Sequence, residues 1–279
     1  MLRKLFRHEI RSLSRYFIPM YIIVLLLSPL IGLMVRFNQA GITARSVTLS
    51  TRAGQTLASL VPTFSMVGYI LLLTGITVAS FVLILIRFYR TTATTEAYLT
   101  FTVPASTGQI LWSKLLASVL WEVLSGLVIV LSLFILMLTA IPFDSTRQFF
   151  SGLGFLIRNA DSSIWLTFAI VLLAIILSLV PGALQFFCAI ALGQLFNDHR
   201  LLISIGFYAA IYFVLQIISA IVIMPVSILT AQRTVDDTLT TTLSGVNITM
   251  GISCILAVAY SVAFFFVIRF IWKKHLNVK

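Results

Sequence analysis

Six stretches of mostly apolar residues follow one another along the chain, over about residues 17–35, 62–86, 115–141, 164–195, 201–224 and 246–271. An α-helix rises about 1.5 Å per residue and the hydrocarbon layer of a bilayer is about 30 Å thick, so about 20 apolar residues suffice to span it. The pattern predicts an all-α polytopic membrane protein with six transmembrane helices, organised as a single transmembrane domain over residues 1–279. The fourth stretch is longer than a straight crossing needs. Pro181 and Gly182 near its middle predict a kink or a break that takes up the excess, and Pro19 and Pro29 predict the same for the first.

Ahead of the first span the periodicity changes. Leu2, Leu5, Phe6, Ile10, Leu13 and Phe17 recur at helical spacing on one face, and Arg3, Lys4, Arg7, Arg11 and Arg15 cover the other. This predicts an amphipathic helix over residues 1–16 lying in the membrane interface, as an anchor or as an element that also transmits movement. Glu9 falls on the apolar face between Leu5 and Leu13, where a carboxylate requires a basic partner on another element or subunit. No small-residue cleavage site follows, so the first span is expected to be retained.

The polar stretch between the second and third spans, residues 87–114, has structure of its own. Ser106 and Gln109 have the spacing of a capping box, which predicts a helix start two residues after Pro104 that leads into the third span. Before the proline, residues 94–102 hold Glu96, Tyr98, Leu99 and Phe101, apolar and aromatic side chains that a free loop gains nothing by exposing. They predict a short docking element.

Composition agrees with lipid as the main solvent: 60% of the 279 residues are hydrophobic and only 10% charged, against about a quarter charged in soluble domains. The net charge of +11 sits in clusters beside the apolar runs, which argues for membrane anchoring and against nucleic acid as a partner. With the N-terminus in the cytosol, thirteen of the 19 Lys and Arg residues fall on the cytosolic side, so both termini are expected there. Cys188 and Cys254 lie inside apolar runs as small hydrophobes, without metal or disulfide spacing. Glu122 is the acidic residue inside a span, a candidate either for a transport pathway or for structural pairing near the interface beside Trp121. Gln185, Gln194 and Gln216 can line a path or bridge helices. Small residues four apart, Ser28 with Gly32, Gly75 with Ala79, Ala189 with Gly193 and Gly206 with Ala210, allow close helix packing.

Residues 96–106, Glu-Ala-Tyr-Leu-Thr-Phe-Thr-Val-Pro-Ala-Ser, followed by Gln109-Ile110-Leu111-Trp112-Ser113-Lys114-Leu115-Leu116, resemble the cytosolic segment of bacterial type-2 ATP-binding-cassette (ABC) exporter permeases. The opening is similar too, with Leu5-Phe6-Arg7-His8-Glu9-Ile10-Arg11 leading to Arg15-Tyr16-Phe17. The resemblance covers the chain in span count and order and is sequence-specific in these two places. It implies a non-catalytic permease subunit in the bacterial cytoplasmic membrane, dimerising with an identical or homologous permease and working with a separate ATPase subunit. Glu96, Tyr98, Leu99, Phe101 and Pro104 would then belong to a cytosolic coupling helix docked on that ATPase, and residues 1–16 to an interfacial elbow helix.

What the sequence lacks fits that division of labour. A Gly-x-x-x-x-Gly-Lys-Ser/Thr phosphate loop is absent, so ATP and Mg are expected on the partner chain and no cofactor on this one. His8, His199 and His275 are dispersed, and no Gly-x-Ser-x-Gly elbow occurs, which argues against metal chemistry or a serine hydrolase. The alternatives are an ion-gradient-driven secondary transporter or channel, for which Glu122 is the acidic relay available, and a lipid-modifying membrane enzyme, for which no polar catalytic cluster is legible.

Overall fold

A computed structural model describes residues 2–45, 52–94, 97, 102, 105–196, 200–233 and 239–274. Among them are seven helices: α1 (Leu2–Arg45), α2 (Arg52–Ala93), α3 (Thr107–Ala140), α4 (Phe143–Asn159), α5 (Ser162–Gly193), α6 (Arg200–Arg233) and α7 (Leu239–Lys274). Six of them, all but α4, are long and apolar enough to cross a membrane, which is consistent with a multi-pass membrane protein. The most apolar windows of α5 and α6 contain no residue buried inside the protein, so their Leu, Ile and Phe side chains need a solvent other than water.

Several helices run on where the sequence pattern suggested boundaries. The amphipathic opening is not a separate helix, because α1 continues without interruption from Leu2 through the first apolar run and contains both Pro19 and Pro29. Pro181 lies inside α5 and Pro225 inside α6, so neither breaks its helix, and α6 extends two turns past the expected end at Met224. A proline removes one backbone hydrogen bond, but in lipid the remaining bonds have no competing water, so the helical state survives it.

Residues 143–159, expected as a loop, form the 17-residue helix α4. It is joined to α3 by Ile141 and Pro142 and to α5 by Ala160 and Asp161. Phe149, Phe150, Leu153, Leu156 and Ile157 share one face of it, and Arg147, Ser151 and Arg158 the opposite one.

The chain divides into two compact units, neither of them one continuous stretch: Met1–Arg11, Ile84–Leu120 and Ala160–Lys279 form one, and Ser12–Leu83 with Trp121–Asn159 the other. In the first, α5 packs against α7 and α6, and α6 against α7. A side chain at Gly193 would collide with Ser204 of α6, so the Ala189 and Gly193 pair marks a true close approach. In the second unit Gly32 is pressed against Thr139 of α3 in the same way, with Ser28 fully buried one turn earlier. Gly75 and Gly206 face open space.

Several hydroxyls in the second unit are paired across its helices. The Tyr21 hydroxyl donates to the Trp121 carbonyl at 3.1 Å and lies 2.6 Å from Ser125 Oγ, which is itself 3.2 Å from Ser80 Oγ. The Tyr69 hydroxyl meets Ser132 Oγ at 2.5 Å. Hydroxyls that meet no neighbouring helix bond back to their own, as Thr74 does to the Ile70 carbonyl at 2.9 Å.

Candidate functional site

The last turns of α2 and the first turns of α3 are cross-linked in the first unit. Glu9, on the apolar face of α1, presents Oε1 to Lys114 Nζ at 2.8 Å and Oε2 to Arg87 Nε at 3.2 Å. Lys114 Nζ also donates to Thr91 Oγ1 at 2.6 Å, and that hydroxyl donates in turn to the Arg87 carbonyl at 2.8 Å. The side chains of Lys114 and Glu9 are 5% and 12% exposed, so each charge is solvated by protein partners more than by water. The carboxylate that the sequence placed on an apolar stripe thus meets cations from two other helices.

Beside this cluster the same end of α2 is wedged by aromatic rings. Phe88 stacks on Phe187 of α5 with ring centres 3.8 Å apart and planes 5° from parallel, and Trp272 of α7 lies 6.1 Å from Phe88. All three rings are buried. Thr92 Oγ1 donates to the Phe88 carbonyl at 2.6 Å and lies 3.4 Å from Gln194 Nε2 at the end of α5, so Gln194 bridges helices. Residues 87–92 therefore touch α1, α3, α5 and α7.

On the far side of the stretch between α2 and α3, α3 begins at Thr107, where Ser106 Oγ accepts the Gln109 N–H at 3.4 Å and the Ser106 carbonyl accepts it at 2.9 Å. Of the interfacial face, Leu5, Phe6 and Ile10 are half-buried and Leu13 is buried, while Arg3, Lys4, Arg7, Arg11 and Arg15 are exposed. The docking residues Glu96, Tyr98, Leu99, Phe101 and Pro104 lie outside the described residues. No family model, curated protein or solved structure matches the chain.

Glu122 and Trp121 differ from the interfacial reading. Trp121 is 5% exposed and stacks on Phe17 with ring centres 4.7 Å apart, so it is part of the second unit's core and not of a lipid-facing belt. Glu122 does not snorkel: it is 9% exposed, and its Oε1 has no hydrogen-bond partner among the described residues. Gln185 is half-buried with Nε2 equally unpartnered, and Gln216 is exposed.

Arg87 and Lys114 were legible in sequence only as positive charges at the ends of spans. Glu9 was the signal that could have singled them out, because a carboxylate on an apolar face must find cations and these two stand at the neighbouring helix ends. The Phe88, Phe187 and Trp272 stack had no such signal, since each is one aromatic among many in an apolar run.

Proposed function

We propose that this chain is the membrane-spanning subunit of a bacterial ABC exporter, working in the cytoplasmic membrane with a second permease and with ATPase subunits that dock on residues 94–104. The observation that carries the reading is the cluster of Glu9, Arg87, Thr91 and Lys114, taken with the resemblance of the residues around it. It joins the amphipathic opening to the two helices that flank the docking segment. A push on that segment would reach the end of α2 and the start of α3 together, because Lys114 and Thr91 tie one to the other. Closure of the ATPases on ATP would tilt the third span and change the side of the membrane to which the pathway opens. Catalysis would belong to the partner, with its ATP and Mg.

Affinity purification of the full chain from its native membrane tests this directly. A soluble ATPase with a phosphate-binding loop should follow it through detergent, and Glu96→Ala with Phe101→Ala should release that ATPase or uncouple hydrolysis from transport. Full assembly and transport in the double variant would sink the docking assignment.

The buried Oε1 of Glu122, without a hydrogen-bond partner among the described residues, favours a second reading, a carrier driven by an ion gradient, in which that residue would take and release the coupling ion. In that case transport in sealed vesicles would proceed without ATP and stop on Glu122→Gln.

A further inference from the structure

The corner between α3 and α4 encloses a cavity of about 330 Å³ in the second unit, at the lower end of the roughly 300–1,000 Å³ of small-ligand pockets. Its walls are Leu138 and Ile141 at the end of α3 with Phe143 and Phe150 of α4, and two arginines complete it, Arg36 of α1 and Arg147 of α4. Neither guanidinium has an ion pair or a hydrogen bond among the described residues. Two cations from separate helices thus line one apolar-walled cavity, an arrangement that favours an anion between them.

We propose that this cavity binds the phosphate of an anionic amphiphile, with Arg36 and Arg147 clamping the phosphate and the Leu138, Ile141 and Phe150 wall receiving the apolar part. A guanidinium presents its donors as a planar fork that matches phosphate oxygens, which suits arginine to this role better than lysine. Membrane phospholipid is the source that the surroundings favour. The helix α4 is tied at both ends to membrane-crossing helices by two-residue links, so it is held at the level where those helices leave the lipid. Its apolar face is bare: Phe149, Phe150, Leu156 and Ile157 are 46%, 42%, 65% and 57% exposed. A helix with such a face and arginines on its opposite side lies along a bilayer surface, apolar side down and basic side among the headgroups. The inference does not depend on the exporter reading, since it uses neither the docking segment nor an ATPase.

Native mass spectrometry of the full chain, released from nanodiscs containing equal phosphatidylglycerol and phosphatidylcholine, measures retained lipid. The wild type should keep phosphatidylglycerol in preference. Arg36→Gln and Arg147→Gln should each weaken that retention about fivefold and together about thirtyfold, from the usual contribution of one basic residue at an anionic surface. Arg158→Gln, on α4 but outside the cavity, should leave it within about twofold of the wild type. Because Arg36 and Arg147 are both exposed, the variants should fold, and unchanged thermal unfolding in detergent verifies it. A parallel titration with inorganic phosphate alone separates the sources: protection by phosphate at millimolar levels, lost in the double variant, assigns the site to the free anion, and binding by the lipid alone assigns it to the membrane. Equal retention by wild type and double variant, or an equal loss with Arg158→Gln, would overturn the proposal.

Discussion

Lys114 is a buried cation that Glu9 and Thr91 help to solvate. Removing Glu9 as Glu9→Gln takes away the carboxylate 2.8 Å from that charge, and one-sided breaking of a buried pair costs roughly 3 kcal/mol or more. Lys114→Met removes the buried charge itself and leaves Glu9 with Arg87, so its loss should be smaller, about 1 kcal/mol. The double variant should be more stable than the sum of the two losses implies, and thermal unfolding of all four proteins in detergent checks the cycle. Glu122 gives the opposite expectation, because its Oε1 has no hydrogen bond to lose among the described residues: Glu122→Gln should be neutral or stabilising, by the same measurement. Glu9 was legible in the sequence because a carboxylate on an apolar stripe is costly wherever the stripe is buried. Its partners were not, since they come from 78 and 105 residues away and pattern reading cannot say which helix ends meet. Glu122 misled for the same reason: burial depends on neighbours, and Trp121 beside it packs on Phe17 instead of facing lipid.

At the level of elements, close packing sorts the small residues into those that matter and those that do not. Gly32→Ala drives a methyl into Thr139, and Gly193→Ala drives one into Ser204 and the Arg200 carbonyl. Each should lower stability by about 1–3 kcal/mol, while Gly75→Ala, with open space before it, should change stability little; melting curves in detergent decide between them. All four spacings looked alike in sequence, because a small residue four from another says that a close approach is allowed and not where it happens. The six spanning helices were legible, since in lipid an apolar run of that length has no other way to satisfy its backbone. Their ends were not, because a helix in lipid runs through proline and into polar sequence, as α6 does beyond Pro225. The helix α4 was missed because Asp144, Arg147 and Arg158 break up its composition, although Phe149, Phe150, Leu153, Leu156 and Ile157 repeat at the helical period.

The distribution of Lys and Arg bears on the molecule as a whole, and from it we propose that the end holding Lys273 and Lys274 faces the cytosol and the polar side of α4 the opposite compartment. With Cys188 and Cys254 replaced by alanine, a cysteine introduced as Ser145→Cys should react in intact cells with a maleimide that does not cross membranes. One introduced as Lys279→Cys should react only after the cells are opened, and the reverse result would invert the topology. The grouping of the helices could not be read from the chain, since each compact unit draws on separated stretches and α1, α2 and α3 contribute to both. The tie between Lys114 and Thr91 holds the end of α2 beside the start of α3, so the two ends of the stretch between those helices, residues 94–106, are already brought together, a closure that costs about 3 kcal/mol in a flexible chain of that length. Whatever binds the residues between them does not have to supply that closure. On the exporter reading proposed above, replacing residues 95–104 with the equivalent piece of another permease should redirect the chain to that permease's ATPase and leave α2 and α3 where they stand.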